Sequence, residues 1–397
     1  MSSMPTVTLQ ARKAKPFFGK HPWLFSAAID RAPDVPAGTQ VRVLSFEKEF
    51  VAYGLYNPDS NIRVRLYSWE HGSPLDEAEV AARIRRAVKA RTEALGLGDP
   101  AGACRLIYSE SDFLSGLVVD RYADVLVVQM ASKALAKFEP TITATLVELL
   151  APRCIVRRVD KAVAELEKYD AGDATLHGAE PIEPFPVAEN GLEWLVDVRS
   201  GQKTGLYLDQ RENRMAFSRY ARGRDVLDVC CYTGGFALTA MKHGGVKKAL
   251  GIDSSGPAVR LAQRNAERNG LAAEFLCEAA LPAMQQLHRE GRRFGAIALD
   301  PPKFARTTAD LEAAIRGYDQ LNKAALDLLE PGGILCTCSC SGRLSPGAFV
   351  QVLASAAQKA NRPVQILEQR GQPADHPISA YCLETAYLKC LIARCAD

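Results

Sequence analysis

The chain's 397 residues are enough for two or three domains at roughly 100–200 residues each, and 47% hydrophobic with 24% charged content describes an ordinary globular protein. No apolar run approaches the ~20 residues that span a bilayer, and no secretory apolar segment opens the sequence, so neither a membrane partner nor export is expected. The net charge of +3 says nothing about nucleic acid by itself; its distribution says more, because Arg12, Lys13, Lys15 and Lys20 all precede the first acid, Asp30. Such a basic arm reads either as a solvated tail or as an RNA contact. Eleven cysteines form an odd set with no Cys-x-x-Cys pair and no histidine spaced to complete a zinc site, so no metal is expected. A reducing cytoplasm is the expected setting, with most thiols packed as small apolar residues.

In residues 1–73, short alternating runs predict strands over 39–44, 50–55 and 62–68. Glu47-Lys48-Glu49 and Asn57-Pro58-Asp59 separate them. This is the pattern of a small β-barrel. Residues 76–96 predict a helix, followed by strands over 117–120 and 125–130 around the turn Arg121-Tyr122-Ala123-Asp124. A helix over 138–150 and a strand over 154–159 complete a middle α/β domain, 76–186. From about 191 to 397 the alternation becomes regular, with helices and seven strands in turn, which predicts a doubly wound parallel sheet with helices on both faces.

The most informative stretch is Val226-Leu227-Asp228-Val229-Cys230-Cys231-Tyr232-Thr233-Gly234-Gly235-Phe236, with Gly251-Ile252-Asp253 ending the next strand. An apolar run of this kind predicts a buried parallel strand, and the glycines let backbone N–H groups approach a ligand. Asp228 lies inside the apolar run, where a carboxylate is costly unless it meets a donor. An acid ending the second strand can bind ribose hydroxyls at the carboxyl edge of an open sheet. Together these features predict an adenosine-containing cofactor, and they resemble the S-adenosylmethionine (SAM) site of class I methyltransferases.

Two later segments carry chemistry. Asp300-Pro301-Pro302-Lys303-Phe304 follows the fourth strand, and its prolines would hold Asp300 still at the sheet edge; the alternative is a plain strand-terminating turn. Asp-Pro-Pro followed directly by an aromatic marks exocyclic-amine methylation in such folds, but here Lys303 intervenes. In Cys336-Thr337-Cys338-Ser339-Cys340-Ser341 the three thiols share one strand face. Cys336 and Cys338 read as core, whereas Cys340 falls at the carboxyl end. A thiolate there could add to C6 of a pyrimidine and make C5 nucleophilic, with Lys303 stabilising the anion; a structural thiol is the bland alternative.

With these motifs in place, the sequence resembles the bacterial PUA-domain-containing large-subunit (23S) rRNA 5-methylcytosine methyltransferases almost end to end. The resemblance is carried by the segments 228–236, 300–304 and Ser339-Cys340-Ser341-Gly342. It extends through Gln202-Lys203-Thr204-Gly205-Leu206-Tyr207-Leu208-Asp209-Gln210-Arg211 and Ala374-Asp375-His376-Pro377. It includes Glu110-Ser111-Asp112, Val119-Asp120-Arg121 and the opening run 19–26. It implies a PUA-like RNA-binding barrel, a middle domain and a C-terminal class I SAM methyltransferase domain of seven strands. It also implies Cys340 as the nucleophile, with Asp300 and Lys303 read from the residues themselves as its catalytic partners, and rRNA as the partner; a homodimer is left open.

The implied cofactor contacts are Tyr207, Asp209, Gln210, Arg211, Asp228, Tyr232, Thr233, Gly234, Gly235, Phe236, Asp253 and Asp300. Two departures stand out. The second cysteine that assists product release in two-cysteine relatives is replaced by Pro302-Lys303, leaving Asp300 through water to take the C5 proton. The third strand lacks the usual terminal Asp, for which Glu278 would substitute. His376 is a secondary suspect, a packed residue or a base. The competing functions are rRNA guanine methylation, which needs no Cys340, and a non-catalytic ribosome-assembly factor.

Overall fold

The computed structural model describes residues 4–169, 171–199, 204–304 and 310–397. Gln202 and Lys203 of the family-like segment lie outside the described residues. The chain forms two compact units. The first comprises Met1–Val187, Val196–Gly205 and Ala374–Thr385; the second comprises Ala188–Leu195, Leu206–Pro373 and Ala386–Asp397. Two stretches of the expected 191–397 domain therefore belong to the first unit, which also contains both of the expected N-terminal domains. No described helix is long and apolar enough to cross a membrane.

The first unit contains two sheets. One has β1 (Thr6–Leu9), β2 (Trp23–Phe25), β3 (Ile29–Arg31), β4 (Gln40–Leu44), β5 (Phe50–Tyr56) and β6 (Ile62–Ser68), in the order β2-β6-β5-β4-β1-β3. Val7, Leu9, Leu24, Val41, Val43 and Val64 fill it. The other has β7 (Ala103–Tyr108), β8 (Leu117–Tyr122), β9 (Val125–Met130), β10 (Cys154–Arg157) and β11 (Ala174–Gly178), in the order β11-β10-β9-β8-β7. Helices Glu77–Lys89 and Glu139–Leu150 bury Val80, Ile84, Ile142 and Leu146 in the core of this sheet. Asp76 starts the former as a side-chain cap, accepting from the Glu79 N–H at 2.7 Å.

A buried ionic network joins β6 to the second sheet's loops. The guanidinium of Arg65, itself buried, donates to Glu110 at 3.2 Å and to Glu167 at 3.0 Å, and also to the Ser115 hydroxyl. Burial alone would lower its pKa, and the two carboxylates more than reverse that.

In the second unit, β14 (Val226–Val229), β15 (Ala249–Asp253), β16 (Glu274–Cys277), β17 (Phe294–Leu299), β18 (Leu329–Ser339), β19 (Val364–Arg370) and β20 (Lys389–Cys395) form one sheet. Its order is β16-β15-β14-β17-β18-β20-β19. All neighbours are parallel except β20, which runs antiparallel to β18 and β19. The sheet is buried on both faces. Leu227, Val229, Leu335 and Leu391 pack one way with Tyr318, Leu326 and Phe349, while Val226, Cys336, Cys338 and Ile392 pack the other way with Phe217 and Phe236. This explains why β14, β17 and β18 read as near-continuous apolar runs.

The predicted seven-stranded α/β fold is what the structure contains. The strands that sequence periodicity missed include the edge strands β2, β3, β7 and β11, which are short or lack a second partner to constrain them. Also missed was the pair β12 (Phe185–Glu189) and β13 (Leu192–Val196), whose turn residues Asn190 and Gly191 both have positive φ, 51° and 69°. Asn-Gly is a strong signal for such a turn.

Replacing Arg65 with Met should leave two buried carboxylates without a cation, and denaturant melts should show a loss of about 3–5 kcal/mol. A loss below about 1 kcal/mol would show that the network is not what stabilises the unit.

Candidate active site

The site is built along the carboxyl edge of β14, β15, β17 and β18. Asp228 shares a strand face with Val226 and is fully buried. One carboxylate oxygen accepts the Ala237 N–H at 2.9 Å, and the other has no partner among the described residues. Burial pushes its pKa up to about 7, against the pull of the Ala237 and Phe236 N–H groups.

Beyond it the loop turns tightly. Cys230, Tyr232 and Gly234 have φ of 61°, 49° and 86°, a cluster of left-handed conformations that is costly at the two non-glycine residues. At Gly234 a Cβ would also come within 3.0 Å of the Phe275 ring. Helix Gly235–Gly244 begins there, directing its N-terminal N–H groups at the loop. Thr233 is buried, and its hydroxyl has no partner among the described residues. Asp253 braces the loop, accepting from Tyr232 N–H at 2.9 Å and from Ser255 N–H at 2.8 Å.

Tyr207 connects this loop to the strand ends. Its ring meets Tyr232 edge-on, with centroids 5.2 Å apart. Its phenol is driven far above the usual tyrosine range by burial and then by the nearby charges of Asp300, Tyr232, Asp209 and Cys340. Asp209 is buried and accepts the Tyr387 hydroxyl at 2.6 Å. Gln210 and Arg211 are also buried; the Gln210 carbonyl accepts from Asn213 at 2.7 Å. Arg214, just beyond, is paired with buried Glu189 and donates to the Tyr207 carbonyl at 2.8 Å.

Asp300 follows β17, its N–H bonded to the Val229 carbonyl at 3.2 Å. Cys336 and Cys338 are sealed beside Cys390, with the Cys336 and Cys390 sulfurs 3.5 Å apart. Cys340 lies just past the end of β18 and is half-buried. Ser341 next to it is buried, its hydroxyl 3.0 Å from that of Tyr318, whose ring packs against Phe304 at 4.8 Å.

The structure thus brings together Tyr207, Asp209, Asp228, the 232–236 loop, Asp253, Asp300 and Cys340. Glu278 and Lys303 are exposed, and neither side chain hydrogen-bonds a described residue; the Glu278 N–H does reach the Asp253 carbonyl at 3.0 Å. His376 belongs to the first unit. It is buried beside Tyr108, and its Nδ1 lies 3.1 Å from Asp375. Asp375 in turn accepts the Arg105 N–H at 3.0 Å.

Sequence reasoning missed Tyr318, Tyr387 and Lys389. Lys389 is buried and donates to the carbonyls of Ser341 at 2.6 Å and Tyr387 at 2.7 Å. A lysine inside the apolar run Leu388-Lys389-Cys390-Leu391-Ile392 was the available signal.

A glycine loop leading into a helix, an acid closing the next strand and two buried polar atoms without partners among the described residues suit a nucleoside cofactor with a polar tail. The sheet order adds the fold of a class I methyltransferase. The match of residues 112–394 to the S-adenosylmethionine-dependent methyltransferase family defines the class, and residues 7–69 match a PUA-like domain. The chain belongs to the family of the curated proteins named ribosomal RNA large subunit methyltransferase I. It is 38% identical to the protein of that name from Pseudoalteromonas translucida over 392 residues, 98% of each chain. It is 35% identical to the Klebsiella pneumoniae protein over 393 residues, again 98% of each.

Among solved structures, one from Streptococcus mutans described as a SAM-dependent methyltransferase superposes with a TM-score of 0.84 at 19% identity, over 98% of this chain and 100% of the other. Another methyltransferase, solved with SAH, gives 0.85 at 19% identity over the same shares. The cofactor is therefore SAM. Asp228, Thr233, Asp253 and the N-terminus of helix Gly235–Gly244 could hold it.

Because the folded-state pKa of Asp228 lies above its unfolded value, its ionisation costs stability that is retained below about pH 4 and lost as pH rises through about 7. Asp228→Asn should accordingly be at least as stable as the wild type at pH 8, while SAM affinity measured by calorimetry falls tenfold or more. A variant that is less stable at pH 8 and binds SAM normally would contradict this assignment.

Proposed function

We propose that this enzyme methylates C5 of a cytosine in large-subunit ribosomal RNA, with Cys340 as the attacking nucleophile. The observation that carries the reading is the contrast among neighbouring thiols. Cys336 and Cys338 are sealed in the core, whereas Cys340, two residues on, is half-buried at the sheet's carboxyl edge beside Tyr207 and within the field that also includes Asp300. The names of the relatives support the RNA substrate.

The chemistry follows from the pyrimidine. C5 is a poor nucleophile until a group adds to C6. The Cys340 thiolate forms the Sγ–C6 bond, and the electron pair of the C5–C6 double bond moves toward C5, which takes up the methyl group. A base then removes the C5 proton; the returning electron pair restores the double bond and expels the thiolate. When bound, SAM would supply the electrophilic methyl, its sulfur keeping the electron pair of the broken sulfonium–methyl bond so that S-adenosylhomocysteine is the leaving group. Asp300, followed by Pro301-Pro302, which restrict its backbone, would take that proton through water, and the Tyr207–Tyr232 ring pair would wall the cleft. The target base must leave its stack to reach such an edge.

The first unit suits the RNA. Phe113 and Tyr381 are 51% and 43% exposed with ring centroids 6.5 Å apart, and the Lys20 ammonium lies 5.6 Å over the Tyr381 ring. Exposed rings beside a cation offer a stacking platform to unpaired bases, and the basic arm around Arg12, Lys13 and Lys15 would add backbone contacts. A reducing cytoplasm goes with this substrate.

Cys340→Ala should lower methyl transfer at least a thousandfold and leave SAM binding within twofold, and wild-type enzyme should form a stable adduct with RNA carrying 5-fluorocytidine. Turnover of unsubstituted RNA without any adduct would end the reading in favour of guanine methylation. Phe113→Ala combined with Tyr381→Ala should weaken RNA binding roughly tenfold or more in filter assays without changing its salt slope, whereas Lys20→Ala should reduce the slope.

A further inference from the structure

Lys389 is a buried cation without a carboxylate. It opens β20 opposite Ser339 of β18, with a relative exposure of 5%, and among the described residues it makes no ion pair. Its two hydrogen bonds go to backbone carbonyls, those of Ser341 and Tyr387. Neutral acceptors fix an ammonium in place but do not neutralise it, and a buried unpaired charge is among the costliest groups a fold can retain.

The groups around it are few. Exposed Lys303, from the loop after β17, and Cys340, just past β18, act on it directly; Tyr207, from the segment before the turn Leu208–Gln210, and Tyr318, from helix Leu311–Leu328, act in turn on Cys340, and Asp300 acts on Tyr207. Burial, with the like charge of Lys303 adding to it, brings the Lys389 pKa down to about 8, and an anionic Cys340 is the neighbour that opposes the fall. At neutral pH the ammonium therefore stays mostly charged, and the carbonyl it grips belongs to the residue after Cys340.

We propose that Lys389 is the positioning residue for Cys340: its ammonium clamps the strand-end turn through the Ser341 carbonyl and supplies the fixed positive charge that favours the Cys340 thiolate. Exposed Lys303 is screened by water and contributes less. The inference rests on Cys340 being the nucleophile. The proton lost by the thiol passes to solvent before attack, so Lys389 changes the thiolate fraction and takes no part in proton transfer.

The test is the pH profile of Cys340 alkylation by iodoacetamide between pH 6 and 10, read by peptide mass spectrometry, with exposed Cys277 as the internal reference. In the wild type the Cys340 midpoint should lie below the ordinary thiol value of about 8.5. Lys389→Gln keeps donors for the carbonyls but no charge. It should raise the midpoint by about one unit and slow alkylation at pH 7 roughly tenfold, with the Cys277 rate and SAM affinity unchanged; kcat should fall at pH 7 and recover at pH 9. Lys389→Arg should restore the midpoint to within about 0.3 unit.

A Gln variant with the wild-type midpoint overturns the proposal, as does an Arg variant that behaves like Gln. The 5-fluorocytidine trap separates the two claims. Wild-type enzyme that forms no adduct removes the nucleophile reading itself, whereas an adduct with an unchanged Gln midpoint removes only the role of Lys389.

Discussion

The arrangement depends on one topological constraint, the reversal of strand order on either side of β14. From β14 the sheet grows through β15 to β16 in one direction and through β17 to β18 in the other. Where parallel strands diverge in this way, their connections leave toward opposite faces and open a crevice at the carboxyl edge. Asp228, Asp253, Asp300 and Cys340 are far apart in sequence, yet each ends a strand or lies just beyond one at that edge. No local feature of the chain gathers them.

Depth along β18 then decides what a thiol can do. Cys336 and Cys338 face the same core as Phe236 and Phe217, and contact with the Cys390 sulfur, followed by burial, pushes both thiols well above the ordinary range. Strand alternation gives Cys340 the same parity, but the strand has ended at Ser339 and the residue is only half-buried. The same side chain is packing material at two positions and lies half-buried at the strand's end at a third, which is what the proposed nucleophile requires. The left-handed residues of the 230–234 loop follow a similar logic on β14. Strain is tolerated there because Asp253 and the start of helix Gly235–Gly244 hold the turn from both sides.

The methyltransferase fold was legible because fully buried parallel strands leave long apolar runs, and because glycine turns and acidic strand ends mark where the sheet stops. The edge strands β2, β3, β7 and β11 were not, since a strand with one partner needs little patterning. Membership of Val196–Gly205 and Ala374–Thr385 in the first unit was invisible as well: hydrophobic period reports a residue's own element and never which distant segment it packs on. Asp375 illustrates this, its carboxylate taken by the Arg105 backbone far upstream. Lys389 escaped notice for a related reason, because inside an apolar strand a single lysine reads as a strand terminus until its acceptors are known.

Two kinds of buried charge can be contrasted among the described residues. Arg65 has Glu110 and Glu167, and Arg214 has Glu189; each cation is matched within the protein, and its removal would damage the fold first. Asp228 and Lys389 are also buried, but among the described residues their hydrogen bonds go to backbone groups, which orient a charge without cancelling it. A fold gains nothing in stability from such groups, since apolar residues of similar size would pack as well. On the proposals made above, the balancing charge or donor would come from outside the fold or be created there: SAM beside Asp228, and an ionised Cys340 beside Lys389.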